Sequence, residues 1–148
     1  MRKRTQAREC ALKILYQMEM AECSLDQIFP SFWDFHPTPE DIREFAEQLV
    51  RGTYQHLSEI DQKIVQYTEN WQLSRMAAVD RNILRFAVYE LLFIDEIPPK
   101  VTINEAVNIA KKYSQDEAGK FVNGILDKIN HTEVKKPDTA GSQKDSEQ

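Results

Sequence analysis

Residues 79–94 most constrain what this chain can fold into, because eleven of the sixteen positions there are apolar. Leu84, Val88 and Leu91 recur at spacings of four and three, and aromatic side chains fill many of the other positions. Four charged residues form a polar strip at roughly helical spacing: Asp80, Arg81, Arg85 and Glu90. The uninterrupted apolar part is well short of the ~18 residues that a membrane span needs. The stretch therefore predicts a central helix that is buried on nearly all sides.

The helical pattern recurs along the rest of the chain, which has 148 residues and only four glycines. This composition favours helices over an all-β fold. Apolar stripes predict helices in six segments: 4–20, 24–35, 39–70, 79–94, 103–113 and 116–129. Gly52 and Ser58 are points at which the long third segment divides into two. The expected fold class is all-α, with about six or seven helices in residues 1–130 and a disordered polar tail in residues 131–148.

Short sequence signals predict where the helices begin and end. Four residues are candidate N-caps: Ser24, Thr38, Ser74 and Asp116. Pro98 and Pro99 are expected to stop the central helix. Thr102 and Glu105 then have the spacing of a capping box, in which Thr102 caps the next helix. Gly124 costs its helix roughly 1 kcal/mol relative to alanine, and a close contact with another helix would explain it.

Charge is distributed unevenly along the chain. The net charge is −5 overall, but residues 1–13 carry +4 and residues 14–72 carry −8. A basic arm on an acidic body indicates that one end meets a polyanion. Four cations crowd the start of the arm: Arg2, Lys3, Arg4 and Arg8. Composition leaves two interpretations open, a solvated arm that frays or an RNA-binding arm that orders on contact with phosphate.

A second candidate site lies at the start of the last helix, where Lys120 and Phe121 follow Gly119. A cation beside an aromatic ring at a helix start suits a phosphate and a stacked base. The alternative is that Phe121 is simply the first core residue of the apolar stripe. The residues by themselves favour that alternative.

The sequence contains no pattern typical of an active site or a metal site. The three histidines lie far apart, without metal ligands at the required spacing: His36, His56 and His131. Helix capping and surface solvation explain the acidic pairs Asp80 with Glu90 and Glu105 with Asp116. The two cysteines are interpreted as reduced thiols of a cytosolic protein. We therefore expect no catalysis, no cofactor and no metal.

Short motifs spread from residue 4 to about residue 130 carry a family resemblance. They occupy residues 7–11, 15–17, 83–85, 89–91, 97–98, 101, 103–107, 110–111, 120–124 and 126–128. The sequences INEAV at 103–107 and KFVNG at 120–124, at this separation, are a specific signal. Together the motifs resemble the family of the bacterial transcription antitermination factor NusB.

The resemblance implies two packed helical bundles, at about 4–70 and 74–130, and a function without catalysis. NusB-like proteins pair with the small-subunit ribosomal protein NusE, bind boxA in nascent RNA and help RNA polymerase resist termination. The implied RNA-contacting residues are Arg2, Lys3, Arg4, Arg8, Glu117, Lys120 and Phe121. The implied NusE-contacting residues are Tyr16 and Asp80. The implied location is the cytoplasm, without a membrane partner, and both a monomer and a homodimer fit the resemblance.

One departure from the family pattern and two alternatives accompany this interpretation. Relatives often carry a denser arginine run where this chain has Arg4, Thr5 and Gln6, so the arm is expected to supply fewer phosphate contacts. The same fold occurs as the RNA-binding domain of a ribosomal RNA cytosine methyltransferase. A protein-only helical adaptor is the other alternative, and the acidic body favours it weakly.

Overall fold

The computed structural model describes residues 2–69 and 72–137, and over these ranges all regular secondary structure is helical. Its elements are α1 (Lys3–Ala21), α2 (Leu25–Phe35), α3 (Glu40–Gln55), α4 (Leu57–Tyr67), a short 3₁₀ helix (Leu73–Arg75), α5 (Ala78–Phe93), α6 (Pro99–Tyr113) and α7 (Asp116–Glu133). The predicted all-α class and the expected number of helices are confirmed. The long third segment divides into two helices that meet at His56.

Helix α5 lies at the centre of the fold, as residues 79–94 predicted. It packs against α1, α3, α4, α6 and α7. Ile83, Leu84, Phe86 and Val88 are fully buried, because neighbouring helices cover α5 on several sides. The buried apolar residues of all seven helices join into one core. No helix in the described part of the chain is long and apolar enough to cross a membrane.

Several predicted helix starts are wrong, although Ser24 caps α2 through a capping box with Gln27, as expected. Thr38 does not cap α3, because its hydroxyl donates to the carbonyl of His36. Ser74 lies inside the 3₁₀ helix, and α5 begins only at Ala78. Asp116 is the first residue of α7 and not its cap.

The two prolines after α5 start the next helix instead of only stopping the previous one. Pro98 is the N-cap of α6 and Pro99 its first residue, a position where a missing N–H costs nothing. Thr102 is therefore a buried interior residue of α6, and its hydroxyl donates to Glu90 at 2.8 Å. The predicted capping box of Thr102 with Glu105 is wrong.

The boundary predicted for the polar tail is also wrong. Helix α7 continues to Glu133, whose carboxylate accepts hydrogen bonds from Lys63 and Tyr67 of α4. Beyond it, the ammonium group of Lys136 donates to the carbonyls of Glu90 and Ile94 and so caps the end of α5. These contacts attach residues 131–137 to the fold. The prediction for residues 138–148 lies outside the described residues.

The glycine in close contact with another helix is Gly52, and not Gly124 as expected. A Cβ atom at Gly52 would lie 2.0 Å from Cζ of Tyr89, so only glycine lets α3 approach α5 this closely. Gly124 is exposed, and a Cβ atom there would meet nothing within 4 Å. The expectation of a helix contact at Gly124 is therefore wrong.

Candidate nucleic-acid and partner interface

The basic arm is the first turn of α1, with Arg2 as its N-cap residue. Lys3 forms an exposed ion pair with Asp41 of α3 at 2.7 Å. The guanidinium of Arg4 lies 4.0 Å from the ring centroid of Phe45, also of α3. These contacts hold the arm on α3, while the side chains of all three cations remain exposed to solvent.

Arg8 was predicted as a fourth phosphate contact, but its side chain lies in the interior. The residue is 2% exposed. Its guanidinium donates to both carboxylate oxygens of Glu90, at 2.7 and 2.9 Å, and approaches Glu105 at 3.4 Å. A buried cation needs such partners because solvent no longer stabilises its charge. In the structure Arg8 thus gives its charge to buried carboxylates, in contrast to the exposed phosphate contact that was predicted.

The polar strip of α5 does not face solvent either. Glu90 is fully buried between Arg8 and Thr102. Arg81 and Arg85 bind the carboxylate of Glu19 on α1, and Arg85 also binds Asp61 of α4. Three residues of the strip, Arg81, Arg85 and Glu90, thus form ion pairs that join α5 to α1 and α4, and the explanation of Glu90 by surface solvation is wrong.

The predicted α7 site is at the surface, near the end of α6. Glu117 and Lys120 are exposed, and Phe121 is half-buried against the core. Its ring is therefore partly accessible and partly packed, which agrees with both interpretations that the sequence left open. The stem of Lys111 on α6 passes within 3.1–3.2 Å of where a Cβ atom at Gly119 would lie. The end of α6 and the start of α7 are therefore adjacent.

Sequence reasoning missed a cluster in which α6 covers a carboxylate of α1. Glu9 is buried, and it accepts hydrogen bonds from Lys112 at 3.0 Å and from the hydroxyl of Tyr113 at 2.6 Å. Burial, and to a lesser extent the hydrogen bond to Glu9, raises the pKa of Tyr113 to about 12, so the phenol stays neutral. Lys13 and Lys112 place their ammonium groups 5.7 and 5.3 Å from the Tyr113 ring centroid. No local signal could have found this cluster, since its members lie on two helices far apart in sequence.

The two residues implied for the partner surface lie on packed helices. Tyr16 of α1 is 39% exposed. Asp80 is in the first turn of α5, and its Oδ1 atom is buried without a hydrogen-bond partner among the described residues. Glu19, three residues after Tyr16, accepts hydrogen bonds from Arg81 and Asn82, which follow Asp80. These bonds hold the helix segments that carry Tyr16 and Asp80 against each other.

The described residues contain no group of three or more His, Cys, Asp or Glu side chains placed to hold a metal ion. Cys10 and Cys23 are free and half-buried, and burial raises the pKa of the Cys10 thiol. The chemistry that remains on this surface is charge, hydrogen bonding and ring stacking. These are the interactions with which proteins bind single-stranded nucleic acid.

Comparison with known sequences places these residues in a family. The model of the NusB family matches residues 5–131. The chain is 51% identical over 126 residues to the transcription antitermination protein NusB of Trichlorobacter lovleyi, an alignment that covers 85% of this chain and 89% of that protein. It is 45% identical over 142 residues to the protein of the same name from Thermodesulfovibrio yellowstonii, covering 89% and 94%.

Solved structures share the fold as well as the sequence. The chain is similar to T. maritima NusB, with a TM-score of 0.82, 43% identity, and coverage of 89% of this chain and 93% of that one. It is also similar to a chain in a crystal structure of antitermination factors NusB and NusE in complex with dsRNA. That match has a TM-score of 0.81 and 32% identity, and it covers 88% of this chain and 98% of the other.

Proposed function

The chain belongs to the NusB family, and from this we propose that it is an RNA-binding transcription antitermination factor. It pairs with ribosomal protein NusE, binds boxA in nascent ribosomal RNA and suppresses termination by RNA polymerase without catalysing a reaction. Its place of action is the cytoplasm, where nascent RNA is made. The observation that carries the proposal is the likeness, over nearly all of the described fold, to a chain from a complex of NusB, NusE and RNA.

The arm supplies attraction to the RNA backbone that does not depend on sequence. Arg2, Lys3 and Arg4 have exposed side chains on the first turn of α1, where each can approach a phosphate. Arg8 takes no phosphate, because Glu90 and Glu105 already bind its charge. Instead it fixes α1 against α5 and α6, and so it sets where the three exposed cations lie.

The start of α7 supplies the contact with a base. The half-buried ring of Phe121 offers a stacking surface, and the exposed ammonium group of Lys120 lies next to it in sequence. Glu117 is one helical turn before these two residues, and its carboxylate can accept hydrogen bonds from the amino groups of a base. Base stacking and charge placed together give affinity for an unpaired strand.

The test is the binding of fluorescently labelled boxA RNA, followed by anisotropy, to the parent protein with and without purified NusE. We expect a ternary complex whose affinity falls steeply with salt, because released counterions drive backbone binding. Binding to NusE without any binding to RNA would replace the proposal with a protein-only adaptor. Failure to bind either partner would overturn the proposed function as a whole.

Neutralising the arm should weaken binding to every RNA alike. For the double variant Arg2→Gln/Arg4→Gln, we expect lower affinity for boxA and for an unrelated RNA, and a salt slope that is smaller by about 0.7 per lost phosphate contact. Lys128→Gln is the matched control, because Lys128 is an exposed cation on α7 that pairs only loosely with Glu69, at 3.9 Å. A loss confined to boxA would contradict a backbone role for the arm.

Reversing the charge at Asp80 should weaken NusE binding. Asp80 is half-buried in the first turn of α5, and a lysine there removes the attraction of its carboxylate and adds a repulsion. For Asp80→Lys we expect at least about a tenfold loss of NusE affinity, measured by titration calorimetry. Asp26→Lys is the control, since Asp26 is also an acid in the first turn of its helix, α2. Equal affinities for the Asp80 variant and the parent would remove Asp80 from the partner surface.

A further inference from the structure

One face of α1 carries charge well beyond the arm. Glu9 and Lys13 follow Arg2 by seven and eleven residues, which places all three on the same side of the helix. The distance from the first to the last is about 16 Å at the rise of an α-helix. Glu9 is the acid on this face, and an uncompensated carboxylate there would repel an RNA backbone.

Side chains of α6 compensate the charge of the Glu9 carboxylate. Lys112 and the hydroxyl of Tyr113 both bind the Glu9 carboxylate, and its residue is only 8% exposed. The ammonium groups of Lys13 and Lys112 both lie near the Tyr113 ring, while Lys13 is exposed and the Lys112 side chain is 48% exposed. The cluster therefore presents positive charge to solvent around one aromatic ring.

The cluster also lies between the two RNA sites of the proposed function. On its α1 side the helix leads back to the arm. On its α6 side Lys111 passes over Gly119, the residue before Lys120. An RNA strand that contacts both the arm and Phe121 can therefore run along this surface.

We propose that Lys13 and Lys112, held around Tyr113, form a phosphate-binding strip that guides single-stranded RNA from the arm to Lys120 and Phe121. The strip rests on the proposed function and adds to it a set of backbone contacts on the middle of α1 and the end of α6. The Tyr113 ring lies near both cations, and the ion pair with Lys112 neutralises the charge of Glu9. The strip reads no base, so it acts on any unpaired strand.

The test measures RNA affinity and its salt slope for Lys13→Gln and for Lys13→Gln/Lys112→Gln, each with NusE present. We expect affinity to fall by about threefold or more for each lysine, and the salt slope by about 0.7 for each. Lys13→Arg should retain parent affinity because the charge is kept. Lys128→Gln should also bind like the parent, because Lys128 lies near the other end of α7.

Lys112→Gln also breaks the ion pair with Glu9, so the single Lys13→Gln variant decides whether the strip binds RNA. The ammonium group of Lys13 makes no hydrogen bond with a described residue, so its replacement breaks none. A thermal melt verifies the fold of the variant. Unchanged affinity and slope for folded Lys13→Gln, with RNA binding by the parent intact, would overturn the strip alone. Absence of RNA binding by the parent would overturn the strip together with the proposed function.

Discussion

Replacing Glu90 by leucine should lower the free energy of unfolding by about 3–5 kcal/mol, the largest stability effect that we expect of any charged residue in this chain. Leucine keeps most of the volume but leaves the guanidinium of Arg8 buried without its main partner. Glu105 remains only at 3.4 Å, and the Thr102 hydroxyl also loses its acceptor. Urea denaturation followed by circular dichroism gives the measurement.

Two further variants separate this buried pair from ordinary ion pairs. Lys3→Gln breaks the exposed pair with Asp41 and should cost no more than about 1 kcal/mol. The double variant Arg8→Met/Glu90→Leu should be more stable than Glu90→Leu alone, because it removes the stranded charge together with its partner. A cost below about 1 kcal/mol for Glu90→Leu would mean that water reaches Arg8 and that the network is not closed.

The same network explains why a helix begins inside a cluster of positive charge. Cations at a helix N-terminus oppose the helix dipole, so the arm is a poor helix start by itself. The hydroxyl of Thr5 donates to Glu105 at 2.6 Å, and Arg8 binds Glu90 one turn later. These contacts attach the first turns of α1 to α6 and α5. The arm is therefore ordered by the fold, in contrast to the fraying arm that composition left open.

Periodicity predicted the helices well, because the residues of each apolar stripe lie close together in one segment of the sequence. The buried stripe of α5 and the segments of α1, α2 and α7 follow directly from spacings of three and four. Gly52 and Ser58 were marked as points of division in the third segment, and the chain divides between them, at His56, while Gly52 itself stays inside α3. Local signals failed mainly at helix starts, where Thr38 and Thr102 have partners that the local pattern did not include.

The ionic contacts could not be predicted, because their members are distant in sequence. Arg8 and Glu90 are 82 residues apart, and Glu9 and Lys112 are 103 apart. A single sequence without an alignment does not say which arginine meets which acid. Arg8 thus looked like part of a basic run. Lys120 and Phe121 were singled out by their own chemistry and again by the family resemblance, Glu117 by the resemblance alone, and the roles of all three stay predictions.

Phe121→Ala should weaken the binding of RNA by about 1–3 kcal/mol, which corresponds to roughly 5- to 150-fold in affinity. The reason is the loss of the stacking surface at the start of α7, a contact that uses the ring face and not its charge. The salt slope should therefore stay near that of the parent, in contrast to the variants of the arm. Anisotropy with labelled boxA RNA and NusE, repeated at several salt concentrations, measures both quantities.

Phe121 is also packed against the core, so loss of packing must be separated from loss of stacking. Phe121→Leu retains much of the apolar contact but has no ring, whereas Phe121→Tyr retains the ring. If a base stacks on Phe121, the leucine variant should bind RNA as weakly as the alanine variant, and the tyrosine variant should bind nearly as well as the parent. Phe93→Ala removes another half-buried aromatic side chain, at the end of α5, and should leave RNA affinity unchanged. A folded leucine variant with parent affinity would make Phe121 a core residue only, and the strand would then have to reach its base contact elsewhere.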